Sequence, residues 1–272
     1  MSEPKVKVKR VLFFDSGVGG LSVLKEVCSL NPDIEAYYLF DNECFPYGDK
    51  SDKFLIERIE KIIEKACTQF ELSAIVVACN TASTVALPEL REHISNIPIV
   101  GVVPAIKPAA KLSKNKIIGL LATPGTLSRE YTKGLIKQFA SDCNVIPVGN
   151  SNLAVIAETR LTTGFVDIDA IKEMVKPFLD EDISKRPDTV VLGCTHYPFV
   201  KDILENILPN VRLVDSGEAI GRRVRDVIKE SNSVCIHGKH NRAFYTGVLK
   251  NYEDRLKMVK SFGFENLEQF TL

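Results

Sequence analysis

Two of the seven cysteines, Cys79 and Cys194, stand in matching surroundings. Each closes a short apolar run after a small residue and precedes a polar one: Ala74-Ile75-Val76-Val77-Ala78-Cys79-Asn80-Thr81 and Thr189-Val190-Val191-Leu192-Gly193-Cys194-Thr195-His196. A thiol at a strand end, with a helix starting behind it, feels the positive end of the helix dipole, which favours the thiolate. His196, two residues beyond Cys194, can orient that sulfur or exchange a proton with it. Alone, the Cys-Thr-His run fits an acyl-transfer nucleophile or one half of a proton-transfer pair. The second thiol favours the pair. Inverting a chiral carbon takes a base on one face and an acid on the other. With each sulfur about 3–3.5 Å from the reacting carbon, the two lie roughly 7 Å apart around the substrate. A disulfide needs about 2.05 Å, so such thiols stay unbonded.

Other motifs could bind the substrate of such a pair. Phe13-Phe14-Asp15-Ser16-Gly17-Val18-Gly19-Gly20-Leu21-Ser22 reads as a strand, a glycine-rich turn and a helix start. Its glycines would let the backbone approach a ligand, and its N–H groups would attract an anion. A dinucleotide fold is the rival, with Asp41 near the expected ribose-binding acid. Ser22 stands where its third glycine belongs, however, and Asp15 would set a carboxylate against a pyrophosphate. The Gly-Lys-Ser/Thr ending of a phosphate loop is missing. Asn80 and Thr81 offer donors for a small carboxylate. Pro46-Tyr47-Gly48 is a turn or a backbone-lined loop over a ligand. His237 and His240 give only two local metal ligands and read as a solvated loop, so no metal site is expected. Cys28, Cys44, Cys67, Cys143 and Cys235 have no supporting motif, and no C-x-x-C occurs.

These residues need elements to hold them. Apolar, β-branched runs at Val11–Phe14, Ala36–Phe40, Ala74–Ala78, Ile97–Val103, Ile117–Leu121, Asn144–Val148, Thr189–Leu192 and Val211–Val214 predict strands. Lys53–Phe70 carries a helical stripe of Phe54, Ile56, Ile59, Ile62, Ile63 and Ala66, and Ile168–Leu179 repeats that period. Apolar strands alternating with amphipathic helices predict an α/β protein with mainly parallel sheets. The cysteine segments, and the turns at Asp15-Ser16-Gly17 and at Ala122-Thr123-Pro124-Gly125-Thr126, recur at similar spacing. Two pseudo-symmetric α/β domains facing one central cleft follow, with ligand at the carboxyl ends of the strands. The first is expected to take residues 1–101 plus 212–272, the second 102–211.

Composition narrows the classes. The chain has 272 residues, 45% hydrophobic and 26% charged, which are globular values. Lys+Arg and Asp+Glu are both 35, so a general basic affinity for nucleic acid or membrane surface is not expected. No apolar run approaches the roughly 18 residues of a membrane span. Val11–Phe14 is too short for a signal-peptide core, so the expected location is the cytoplasm.

Taken in order, the sequence resembles the glutamate racemases. The matches are Phe14-Asp15-Ser16-Gly17-Val18-Gly19-Gly20-Leu21-Ser22-Val23, Pro46-Tyr47-Gly48, Ala78-Cys79-Asn80-Thr81-Ala82, Gly193-Cys194-Thr195-His196-Tyr197-Pro198 and Phe244-Tyr245-Thr246-Gly247. The resemblance implies cofactor-independent interconversion of L- and D-glutamate, supplying D-glutamate for peptidoglycan. It implies that Cys79 takes the Cα proton from D-glutamate and Cys194 from L-glutamate, with Asp15 and His196 as auxiliary residues beside them. Asp15, Ser16, Tyr47, Gly48, Asn80, Thr81, Thr195 and His196 match substrate contacts. Thr123 and Thr126 match contacts to the side-chain carboxylate, and Glu158 matches a further site residue. A homodimer is also suggested by the resemblance. Three rivals remain: a hydrolase or acyltransferase using Cys194 and His196, a two-lobed glutamate-binding protein without turnover, and a redox switch through Cys79 and Cys194.

Overall fold

A computed structural model describes residues 9–179, 182–229 and 240–272. The expectations for His237 and Cys235 lie outside these residues.

In β1 (Arg10–Asp15), Val11 and Phe13 pack into one apolar cluster while Leu12 and Phe14 pack into another. That alternation of fully buried side chains needs helices on both faces of the sheet, the condition for a parallel arrangement. β1 pairs in parallel with β2 (Glu35–Phe40) on one side and β3 (Ala74–Val77) on the other. β4 (Ile99–Gly101) lies beyond β3. A second sheet follows, from β5 (Ile117–Ala122), β6 (Asn144–Gly149), β7 (Thr189–Gly193) and β8 (Arg212–Val214). The chain then returns to the first sheet with β9 (Arg242–Tyr245) and β10 (Leu267–Gln269).

The sheet orders are β10-β9-β2-β1-β3-β4 and β6-β5-β7-β8, and every pairing is parallel. The order β2-β1-β3-β4 is the order β6-β5-β7-β8 with new labels. The internal repeat read from the sequence is thus a repeat of topology. Asp15 ends β1 as Ala122 ends β5, and the two cysteines follow the equivalent strands β3 and β7.

All eight expected strands are present. Arg212–Val214, expected at the start of the returning segment, instead pairs with β7 as the edge of the second sheet. The four-residue β9 and three-residue β10 were not expected as strands. Helix α1 (Leu21–Leu30) follows the glycine-rich turn. Helix α2 (Asp52–Gln69) is capped by Ser51, whose Oγ accepts the Phe54 N–H at 3.4 Å. Its buried stripe is Leu55, Ile59, Ile62, Ile63 and Ala66; Phe54, expected there, is 43% exposed. Helix α3 (Asn80–His93) starts immediately after Cys79. The helix expected over Ile168–Leu179 stops at Met174 and gives way to a 3-10 turn at Lys176–Phe178. Pro177 explains the break, since it has no N–H and its ring clashes with the preceding helical turn. No helix among the described residues is long and apolar enough to cross a membrane.

Candidate active site

The carboxyl ends of β1, β3, β5 and β7 bring the expected residues to one place. Cys79 and Cys194, 6% and 8% exposed, line a single cavity with Ser16, Tyr47, Gly48, Asn80, Thr81, Thr123, Thr195 and His196. Asp15, Thr126 and Glu158 bond to these residues or to the turn beside them. The cavity measures about 20 Å³, room for about one water molecule. An amino acid needs more room than this arrangement leaves. A larger cleft of about 270 Å³ borders Asn80, Cys194 and Thr195 from the side of α1, and Cys79 is not among its lining residues.

Cys79 departs from the expected thiolate. Burial and the nearby Asp15 carboxylate push its thiol up to about 12, against the opposing Ala82 N–H and Ser16 hydroxyl. Ser16 Oγ lies 3.7 Å from Sγ. The helix start is where the sequence puts it, but desolvation outweighs the dipole. At neutral pH this sulfur carries its proton.

Asp15 is fully buried. Its Oδ1 accepts the Gly17 N–H at 3.0 Å and the Ser16 hydroxyl at 3.2 Å, and its Oδ2 accepts the Thr195 hydroxyl at 2.8 Å. Burial raises its pKa despite His196 and these donors. The carboxylate thus serves first to join the lobes through Thr195.

On the Cys194 side, His196 Nδ1 lies 3.8 Å from Sγ and Nε2 lies 2.8 Å from Glu158 Oε2. Burial works against a charged imidazole, but Cys194 and Glu158 prevail and push it up to about 10. Burial likewise works against an ionised Glu158, yet His196 and Arg255 hold it below the usual carboxylate range. The natural assignment places a proton on Nε2, donated to Glu158. The Gly19 N–H also points at this nitrogen, at 3.1 Å.

The glycine-rich turn has a different purpose from the one expected. Its Gly17 N–H faces Asp15 and its Val18 N–H faces Glu158. A Cβ at Gly17 would collide with the Glu158 carboxylate, and one at Gly19 with the His196 imidazole. The glycines admit two side chains of the opposite lobe rather than an anionic ligand.

Thr81, Thr123 and Thr126 form a triangle of hydroxyls with Oγ1–Oγ1 distances of 3.0, 3.1 and 3.3 Å. Thr81 comes from α3, the other two from the turn after β5. All three are buried, as is Asn80, whose Nδ2 has no protein partner. Rotatable hydroxyls and a free amide donor are what a carboxylate needs at such a place.

The Tyr47 loop rests on Asp41. Asp41 accepts the Tyr47 hydroxyl at 2.7 Å, Arg58 Nη2 at 2.7 Å, Arg58 Nε at 3.0 Å and the Thr246 hydroxyl. This carboxylate is fully buried and its acceptor sites are taken, so it cannot hold a ribose. The Tyr47 hydroxyl faces Asp41, leaving backbone and ring for any ligand. Asp41→Ala leaves Arg58 and Tyr47 without their partner. We expect a loss of about 3–5 kcal/mol of stability, read as a lower midpoint in urea. A loss under about 1 kcal/mol would refute this account of the loop.

No motif pointed to Phe45, whose ring centroid stands 5.3 Å from that of His196. Nor did it mark Arg58 or Arg255. Thr246 was within a matched motif but had no role.

Known proteins share this sequence and fold. Residues 25–224 match the model of the Asp/Glu/Hydantoin racemase family. A glutamate racemase of Photorhabdus laumondii is 46% identical over 95% of this chain and 90% of its own. One of Escherichia coli is 45% identical over 100% and 93%. The chain belongs to the glutamate racemases of this family. The enzyme is therefore an isomerase, and its fold is theirs. The crystal structure of Escherichia coli glutamate racemase in complex with L-glutamate and the activator UDP-MurNAc-Ala superposes with a TM-score of 0.91 at 45% identity, covering 97% of this chain and 98% of that one. A glutamate racemase isoform from Bacillus anthracis gives 0.80 at 27% identity, with 99% and 98% covered.

Proposed function

We propose that the enzyme interconverts L- and D-glutamate by two-base proton transfer at Cα, with Cys79 and Cys194 on opposite faces and no cofactor. The observation that carries this reading is that both thiols line one cavity on topologically equivalent arms. Cys194 takes the Cα proton of L-glutamate, forming S–H as the C–H bond breaks. Cys79 gives its own proton to the other face of the carbanion-like centre, and the product is D-glutamate. That step leaves Cys79 without its proton and Cys194 with one, the state from which Cys79 takes the Cα proton of D-glutamate in the reverse turnover. Asp15 acts beside Cys79, and His196, steadied by Glu158, acts beside Cys194.

Glutamate brings two carboxylates. Asn80 and the hydroxyls of Thr81 and Thr123 are the donors for them, with Thr126 behind Thr81 and Thr123; Ser16 and Thr195 line the site while their hydroxyls donate to Asp15. Tyr47 and Gly48 close the site above. Fixed dipoles in a dry cavity stabilise developing charge with little reorganisation. The L-glutamate complex of the Escherichia coli relative supports the choice of substrate. We further propose two domains, of residues 1–101 with the segment after Val214, and 102–214. We also propose a cytoplasmic enzyme that feeds D-glutamate to peptidoglycan synthesis, and a homodimer, tested by light scattering.

The deciding experiment incubates each enantiomer with the enzyme in D2O, with chelator and without pyridoxal phosphate. We expect loss of optical rotation and deuterium at Cα from both. No change from either, with and without UDP-MurNAc-Ala, would overturn the assignment to glutamate.

A further inference from the structure

The two oxygens of Glu158 have divided duties. Oε2 accepts the Val18 N–H at 3.2 Å and faces His196 Nε2 at 2.8 Å. Oε1 accepts Arg255 Nη1 at 2.5 Å. Arg255 lies on the helix Tyr252–Ser261, whose Met258 and Val259 pack into the core of the six-stranded lobe. Glu158 lies on the helix Asn152–Thr163, whose Leu153, Ala154 and Ala157 pack into the four-stranded lobe. A continuous line of contacts therefore runs from the last helix of one lobe, through Glu158 and His196, to the sulfur of Cys194 in the other.

We infer that Arg255 is a positioning residue for racemisation: it clamps Glu158 and, through it, sets the His196 ring against Cys194. The inference rests on the two-thiol reading above. Without the guanidinium, a carboxylate 5% exposed has one oxygen unpaired. A buried charge that loses its partner neutralises or moves. Neutralisation weakens the acceptor facing His196 Nε2 and movement removes it, and the ring is then less firmly held with its Nδ1 toward the sulfur. Because the clamp reaches across the cleft, His196 is fully held only when the lobes are together. Closing the cleft and readying Cys194 become one event.

The test uses the full-length enzyme with Arg255→Met and Arg255→Lys. Enantiomers have equal free energies in water, so any substitution must lower kcat/KM equally in both directions. A purely structural loss and a positioning loss differ elsewhere. For Arg255→Met we expect kcat to fall about 100-fold, as for a misplaced catalytic group, with KM little changed. Slowing only the Cys194 step should raise the isotope effect with Cα-deuterated L-glutamate and lower it with Cα-deuterated D-glutamate. Arg255→Lys, which keeps the charge without the planar fork, should recover part of kcat. Wild-type kcat and isotope effects in Arg255→Met would overturn the inference. So would a fall in activity that leaves the two isotope effects unchanged and tracks a fall in melting temperature, which would make Arg255 only a strut between lobes. Cys194→Ser, assayed alongside, separates the two levels: if it retains turnover, the two-thiol reading itself fails.

Discussion

Cys194→Ser should lower kcat/KM for both enantiomers by roughly 10⁴-fold, the upper range of what one positioned acid or base supplies. A serine hydroxyl holds its proton far more tightly than a thiol, so it cannot serve as the base for L-glutamate. The defect has a face. On the two-thiol proposal Cys79, once it has released its own proton, can still take the Cα proton of D-glutamate, so deuterium from D2O should enter recovered D-glutamate faster than recovered L-glutamate. Cys79→Ser should invert that preference. The surroundings of the two sulfurs also differ. Cys79 is buried beside Asp15, which with desolvation pushes its thiol up, while Cys194 stands 3.8 Å from the His196 imidazole. Optical rotation and mass spectrometry of recovered glutamate check both variants. Near-normal turnover in Cys194→Ser would sink the two-thiol mechanism. An acyl-enzyme on Cys194 would favour the hydrolase rival, and a readily formed bridge between Cys79 and Cys194 the redox switch.

Gly19→Ala has the second-largest expected effect, although it adds one methyl group far from either sulfur in sequence. That methyl would occupy the space of the His196 ring. The ring must shift, and a displacement of about 1 Å costs about 100-fold in rate. Overpacking adds a stability loss of about 1–3 kcal/mol. Gly134→Ala is the matched control. Its new Cβ meets nothing within 4 Å, and the residue sits inside the helix Glu130–Phe139. It should gain about 0.5–1 kcal/mol by removing a helix glycine, with activity unchanged. If Gly19→Ala races as fast as wild type, the turn is not the seat of the imidazole.

The contrast between these glycines marks what the sequence could convey. A run of three glycines after a strand announces that something must come close. It does not say what comes close, because Glu158 and His196 arrive from 140 and 177 residues away. Similarly, Asn80-Thr81 after an apolar run disclosed a helix start behind Cys79. The direction of the thiol's shift depended on burial and on Asp15, which only the folded lobe supplies. The apolar runs of β1, β2, β3 and β7 were legible because strands buried on both faces leave few polar residues. β9 and β10 were not, being short strands at one end of the sheet. The break at Pro177 was available in the sequence, and the helical period over Ile168–Leu179 masked it. Asp41 looked like a ribose ligand by spacing alone, until Arg58, Tyr47 and Thr246 were found to occupy it.

The pairing of β2 with β9 also sets an order of construction. β2 waits for a partner that is made about 200 residues later. The four-stranded unit, β5 to β8, is contiguous and can close while the remainder is still being translated. Until then β2 has an unpaired edge, the kind of surface on which nascent chains stick to one another. The catalytic cleft shares this timing, because one of its walls belongs to the lobe completed last. A chain released before the helix Tyr252–Ser261 has docked would be silent, whatever the state of its two thiols.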